Sequence, residues 1–152
     1  MSCPLREPAR TLILIAAMVL PGASPATAQT AADTAAIRQA ALDYIEGWYE
    51  GDAQRMERAL HPDLAKRIVR TDARGRNSLG QMSALTLVQL TRVGDGKVPP
   101  EKQQKDVTVL DIFGNAATAK VVATGWIDYL HLARWYGRWV IVNVLWENKP
   151  EP

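Results

Sequence analysis

The chain is 152 residues long, enough for one domain with its own core and too short for two of ordinary size. Its 18 basic and 16 acidic residues nearly balance and form no basic block, so nucleic acid is not an expected partner. One cysteine excludes an internal disulfide. Two histidines without H-x-x-x-H or H-E-x-x-H spacing exclude the common metal sites, and no phosphate loop or serine elbow appears, so neither metal nor cofactor is expected.

The first residues read as an address. Arg6 and Arg10 precede the apolar run Thr11–Leu20, Pro21, Gly22 and Pro25 break it, and Ala26-Thr27-Ala28 has the small-x-small form of a cleavage site. That layout predicts a secretory signal peptide over 1–28, and the run is too short for a transmembrane helix. An uncleaved anchor is the competing reading. Cleavage predicts a periplasmic or secreted protein beginning near Gln29, not held in the membrane. Cys3 leaves with the signal, and the loss of Arg6, Arg10 and Glu7 leaves 16 basic and 15 acidic residues.

Asp33–Glu50 predicts the first helix. Ile37, Ala41, Tyr44, Ile45 and Trp48 recur at helical spacing, Asp33 or Thr30 suits the start, and Gly51 suits the C′ position. Gly47 inside it costs about 1 kcal/mol relative to Ala and permits a close neighbour. Tyr44 and Trp48, four residues apart, project together, either as plain core or as a pocket lining with polar tips. Asp52–Leu60 predicts a short second helix, with Asp52 as N-cap and Met56 and Leu60 inward, ended by His61-Pro62. Leu64, Ile68 and Val69 continue the apolar pattern to the turn-rich Asp72–Asn77. The loose cluster Lys66, Arg67, Arg70, Arg74 and Arg76 reads as a solvated face rather than a binding patch. Ser83–Val93 predicts a third helix, Gly94–Pro100 a loop, and Val107–Phe113 and Ala117–Thr124 a strand pair turned by Gly114-Asn115.

Thr124–Glu147 holds four of the five tryptophans and the clearest hairpin signal, Tyr136-Gly137 between two runs of β-formers. Centring the turn there pairs Leu132 with Ile141, Leu130 with Asn143, and Asp128 with Leu145. One face then carries Trp126, Asp128, Leu130, Leu132, Trp139, Ile141, Asn143 and Leu145. The other carries Ile127, Tyr129, His131, Ala133, Val140, Val142, Val144 and Trp146. Both are largely apolar, so both are expected to be covered.

Helices followed by antiparallel strands predict an α+β domain. The segments ALDYIEGWYEGDAQRMERALHPDLAKR and YGRWVIVNVLWE resemble the nuclear transport factor 2-like superfamily, in particular its putative lumazine-binding branch near the SnoaL-like proteins. The markers are a first helix ending W-Y-x-G-D, the H-P-D-L turn and a last hairpin G-R-W-x-I-V-N. Tyr136-Gly137 stands where the family often has Asp-Gly. The resemblance spans nearly all of 29–152 and implies a single domain: a cone-shaped, curved antiparallel sheet wrapped around a long N-terminal helix, with two shorter helices. It implies a cavity inside the cone, an inward face bearing Trp139, Ile141 and Asn143, and a homodimer through the convex face, where Tyr129, Val142, Val144 and Trp146 would lie.

Within that frame the ligand-binding candidates are Tyr44, Trp48, Trp126, Asp128, Leu130, Asn143 and Leu145. Asp128 is the first catalytic candidate, with Tyr44 or His61 as its partner. A carboxylate among apolar groups can be prepared as a general acid or base, and the competing reading is a structural Asp bonded to Tyr44 or backbone. Asn143 could orient a ligand carbonyl or be a satisfied buried amide. The resemblance puts His61 at the cavity mouth, although a His before Pro is often structural. His131 falls on the other face. Three functions stay open: a binding domain for a small apolar or aromatic molecule; a cofactor-independent isomerase, dehydratase or cyclase; and an interaction module working through the convex face.

Overall fold

The computed structural model describes residues 25–150, with side chains from Thr30 on. The expected export signal, apart from its C-terminal end, lies outside the described residues. The order is α1 (Pro25–Glu50), α2 (Ala53–Ala59), β1 (Leu60–Thr71), β2 (Asn77–Ser83), α3 (Ala84–Val93), a 3-10 turn (Pro100–Lys102), β3 (Lys105–Phe113), β4 (Ala116–Ala123), β5 (Trp126–Trp135) and β6 (Arg138–Asn148). Among the described residues no helix is long and apolar enough to cross a membrane.

α1 begins before the expected Asp33, so Asp33 is not its cap. Its carboxylate instead pairs with Arg134 and accepts from the Trp139 indole at 3.2 Å. Ile37, Ala40, Ala41, Tyr44, Ile45 and Tyr49 form the buried stripe. Gly47 earns its place at the α1–α2 corner, where an added Cβ would stand 3.0 Å from the Met56 amide nitrogen. Asp52 caps α2 by accepting from the Arg55 N–H at 3.0 Å, and Ser83 caps α3 by accepting from the Thr86 N–H at 3.2 Å.

The six strands pair in the order β2-β1-β6-β5-β4-β3. This corrects the expected cone. β1 and β2 are strands where the sequence suggested only a continued apolar pattern before a turn-rich Asp72–Asn77 and gave residues 78–82 no element, and β1 lies parallel to β6, so the sheet is mixed. It does not curl or close: β2 and β3 are its free edges. A parallel neighbour requires a long crossover, and here nearly the whole chain between β1 and β6 supplies it. The helices lie against one face, where Val121, Leu130, Leu132, Ile141 and Val144 are buried.

The last hairpin turns where expected. Tyr136 and Gly137 both have positive φ, 45° and 78°, as a type I′ turn needs. Leu132 pairs with Ile141 as expected, but the next pair is His131 with Asn143. Val142 is therefore an extra residue on β6, a β-bulge. Beyond it the register differs from the expected one: Leu130 pairs with Val144, Tyr129 with Leu145, Asp128 with Trp146 and Trp126 with Asn148. Directly opposed residues share a face, so Val144 and Trp146 point to the helix side, and Asn143 and Leu145 to the outer side.

Candidate functional site

Strand β1 alternates Leu64, Lys66 and Ile68 toward the helices, each no more than 5% exposed. Strand β5 sends Asp128 to the same side, fully buried, and α1 brings the Tyr44 hydroxyl between them. Lys66 Nζ donates to Asp128 Oδ1 at 2.6 Å and to the Tyr44 hydroxyl at 2.6 Å. The Tyr44 hydroxyl donates to Asp128 Oδ2 at 3.2 Å, and the Trp126 indole N–H donates to the same oxygen at 2.7 Å. The carboxylate thus takes three donors and faces an ammonium, the arrangement that lets a buried charge persist. Lys66 also lies 4.9 Å from the Trp146 ring centroid, a cation–π distance.

Burial pulls the Lys66 ammonium below its ordinary value, with Asp128 acting against that pull. Burial, then the Asp128 charge, push the Tyr44 hydroxyl well above 10.0. Tyr44 is therefore a neutral donor at any physiological pH, and the ion pair is closed on itself.

Above this floor lies a cavity of about 230 Å³, walled by Trp48, Trp126, Trp146, Met82 and Leu87, with Tyr44 and Lys66 at its base and Asn148 at its edge. Trp48 lies against Gly96, where an added Cβ would fall 2.1 Å from the indole Cε2. Tyr49 braces Trp126 edge-on at 6.0 Å, its own hydroxyl held by the Gln104 carbonyl and the Thr124 N–H. The Trp146 indole N–H is buried and has no hydrogen-bond partner among the described residues.

Of the sequence candidates, Tyr44, Trp48 and Trp126 line the cavity, whereas Asp128 is bonded to Tyr44 and Trp126 but is not itself part of the wall. Leu130 is fully buried in the core and is not part of the cavity wall. Asn143 is on the outer face, where its amide oxygen accepts from Arg67 at 2.9 Å and its nitrogen lies 3.2 Å from His131 Nδ1. Leu145 is exposed on that face. His61 sits in a different cavity, of about 370 Å³, with Pro62, Leu85 and Arg138; its ring packs edge-on to Trp135 and its Nδ1 accepts from the Asp63 N–H. It is not within reach of Asp128 as a catalytic partner.

Lys66, Met82, Leu87, Trp146 and Asn148 are the cavity residues that sequence reasoning missed. Lys66 had a signal: placed on a strand, it shares a face with the apolar Leu64 and Ile68.

Helices packed on one face of this sheet, with a cavity between them, define a nuclear transport factor 2-like, cystatin-like domain. Solved structures of that class agree in fold. One from Shewanella baltica, described as a nuclear transport factor 2-like protein of unknown function, is 19% identical, with 86% of this chain and 100% of that one covered at a TM-score of 0.60. Another so described, from Silicibacter pomeroyi, is 16% identical, with 81% and 98% covered and a TM-score of 0.63. A third from Novosphingobium aromaticivorans, described as having a cystatin-like fold, is 15% identical, with 84% and 88% covered and a TM-score of 0.61. Within the class, the chain belongs to the family described as putative lumazine-binding, which it matches over residues 32–147. No curated protein matches it. Folds of this class often form cavities for small molecules.

Proposed function

We propose that this protein is an exported, single-domain binding protein for a small apolar or aromatic molecule. The observation that carries the reading is the cavity walled by three indoles over a floor whose charges cancel. Such a pocket rewards apolar and aromatic surface with burial and stacking. Its roughly 230 Å³ lies below the about 300–1,000 Å³ of drug-sized sites, which fits a compact ligand. An isomerase, dehydratase or cyclase would need Asp128 free to exchange a proton. Three donors occupy it and no part of it is exposed, which favours binding over that chemistry.

The outer sheet face supports a homodimer. Leu79, Leu145, Tyr129 and Val69 are exposed there, between 44% and 61%, beside the Arg67–Asn143–His131 polar cluster. Val144 and Trp146, expected on that patch, belong to the helix side.

The test is titration with N-phenyl-naphthylamine, a neutral fluorophore that brightens in apolar pockets. Saturable binding is expected for the native protein, and its loss in Met82→Trp, which fills the cavity from a half-buried position. No saturable binding, or binding unchanged by Met82→Trp, would refute the reading.

A further inference from the structure

A second, smaller chamber of about 110 Å³ adjoins the first, and the two share Lys66, Met82 and Trp146 as their common wall. Its chemistry is different. Arg70 and Gln81 line it, beside Ile68 and Gly80. Gly80 stands inside strand β2, where glycine weakens a strand and marks a close approach. The approaching group is the Arg70 guanidinium: a Cβ on Gly80 would fall 2.2 Å from Arg70 Nη1. The missing side chain thus makes the seat in which the guanidinium rests. Arg70 has no carboxylate partner among the described residues, in contrast to Lys66, whose charge Asp128 cancels. The two chambers together therefore carry one uncompensated positive charge, at the Arg70 end. Between that charge and the aromatic wall stands Trp146, whose buried N–H lacks an acceptor.

We propose that the ligand is an aromatic carboxylate. Its ring occupies the chamber of Trp48 and Trp126, and its carboxylate extends past the Trp146 side chain toward the Arg70 guanidinium. This rests on the cavity being a binding site and adds the charge and position of the ligand's head. Arginine presents paired donors that match a carboxylate. The cancelled ion pair beneath contributes no net attraction, so discrimination between an acid and its neutral isostere falls to Arg70.

The experiment is calorimetric titration of the full chain with naphthoate, with naphthamide, its uncharged isostere, and with octanoate, which has the head without the ring. Naphthoate should bind about tenfold or more tightly than naphthamide, a difference that shrinks as salt is raised. Arg70→Met, at an exposed position, should remove the preference, weakening naphthoate far more than naphthamide. Gly80→Ala, which unseats the guanidinium, should weaken naphthoate alone. Equal affinity for acid and amide, or a preference that survives Arg70→Met, would overturn the assignment of the charged head and leave the cavity reading standing. Octanoate binding as tightly as naphthoate would overturn the aromatic part. If neither naphthalene probe binds, the cavity reading fails, and this inference with it.

Discussion

Replacing Asp128 by Asn tests whether the buried ion pair holds the fold. The amide preserves size and can still accept from Trp126, but it no longer balances the Lys66 ammonium 2.6 Å away. An uncompensated charge is then left in a site where Lys66 is 5% exposed. Breaking a buried pair in this way costs about 3–5 kcal/mol, a large share of the about 5–15 kcal/mol that stabilises an ordinary domain. For a chain of this size the melting temperature should fall by on the order of 10–20 °C. The pH dependence follows from the same lysine. In the variant the Asp128 charge no longer opposes the burial that pulls its folded value below 10.5. Between the lowered folded value and the unfolded one the unfolded state binds more protons, so the variant's stability rises with pH. Urea unfolding at neutral pH and again near pH 9 measures both effects. The double variant Lys66→Met with Asp128→Leu removes both charges and should recover most of the loss, because an apolar pair of similar volume needs no compensation. A loss under about 1 kcal/mol for Asp128→Asn, or a double variant no more stable than the single one, would refute the reasoning.

Tyr44 has a folded value raised above 10.0, so it contributes stability that is complete below pH 10 and is lost as pH rises beyond it; Tyr44→Phe should cost about 1–3 kcal/mol at neutral pH and abolish that alkaline loss in circular-dichroism melts. Leu145→Asp on the outer face should shift the protein to monomer by light scattering with its melting temperature nearly unchanged, whereas Val144→Asp, at a position with no exposure, should unfold it. A native monomer at micromolar concentration would refute the homodimer. Mass spectrometry of the exported protein should give a chain starting at or near Gln29, and a retained Met1 or Cys3 would refute export by cleavage.

The parts of this fold that are legible in the sequence are those with local causes. The α1 stripe, the caps at Asp52 and Ser83, and the Tyr136-Gly137 turn each follow from a residue type at a required backbone position. The parts that are not legible depend on partners far along the chain. Leu60–Thr71 carries a proline, an ion-rich composition and no clean alternation, and becomes a strand because β6 and β2 offer it edges. Without that strand Lys66 reads as one of several solvated cations. Asp128, Tyr44, Trp48 and Trp126 were visible because helix period and strand parity on β5 place them without reference to β6. Asn143 and Leu145 were misplaced because β6 is apolar on both faces from Val140 to Leu145, apart from Asn143, and offers no alternation against which an extra residue would show.

Val142 makes the composition of the binding chamber a matter of counting. Paired without the bulge, with Val142 opposite His131, Asn143 and Leu145 would fill the places of Val144 and Trp146, and a leucine would stand where an indole now lies over Lys66. The same eleven-residue strand thus encodes two different walls, and the frame in which it is read chooses between them. Relatives whose last strand is as long but pairs without the bulge would present the opposite set inward. Matching positions by sequence past Ile141 would then exchange chamber wall for outer surface, and a ligand preference transferred across such a match would be assigned to side chains that never meet the ligand.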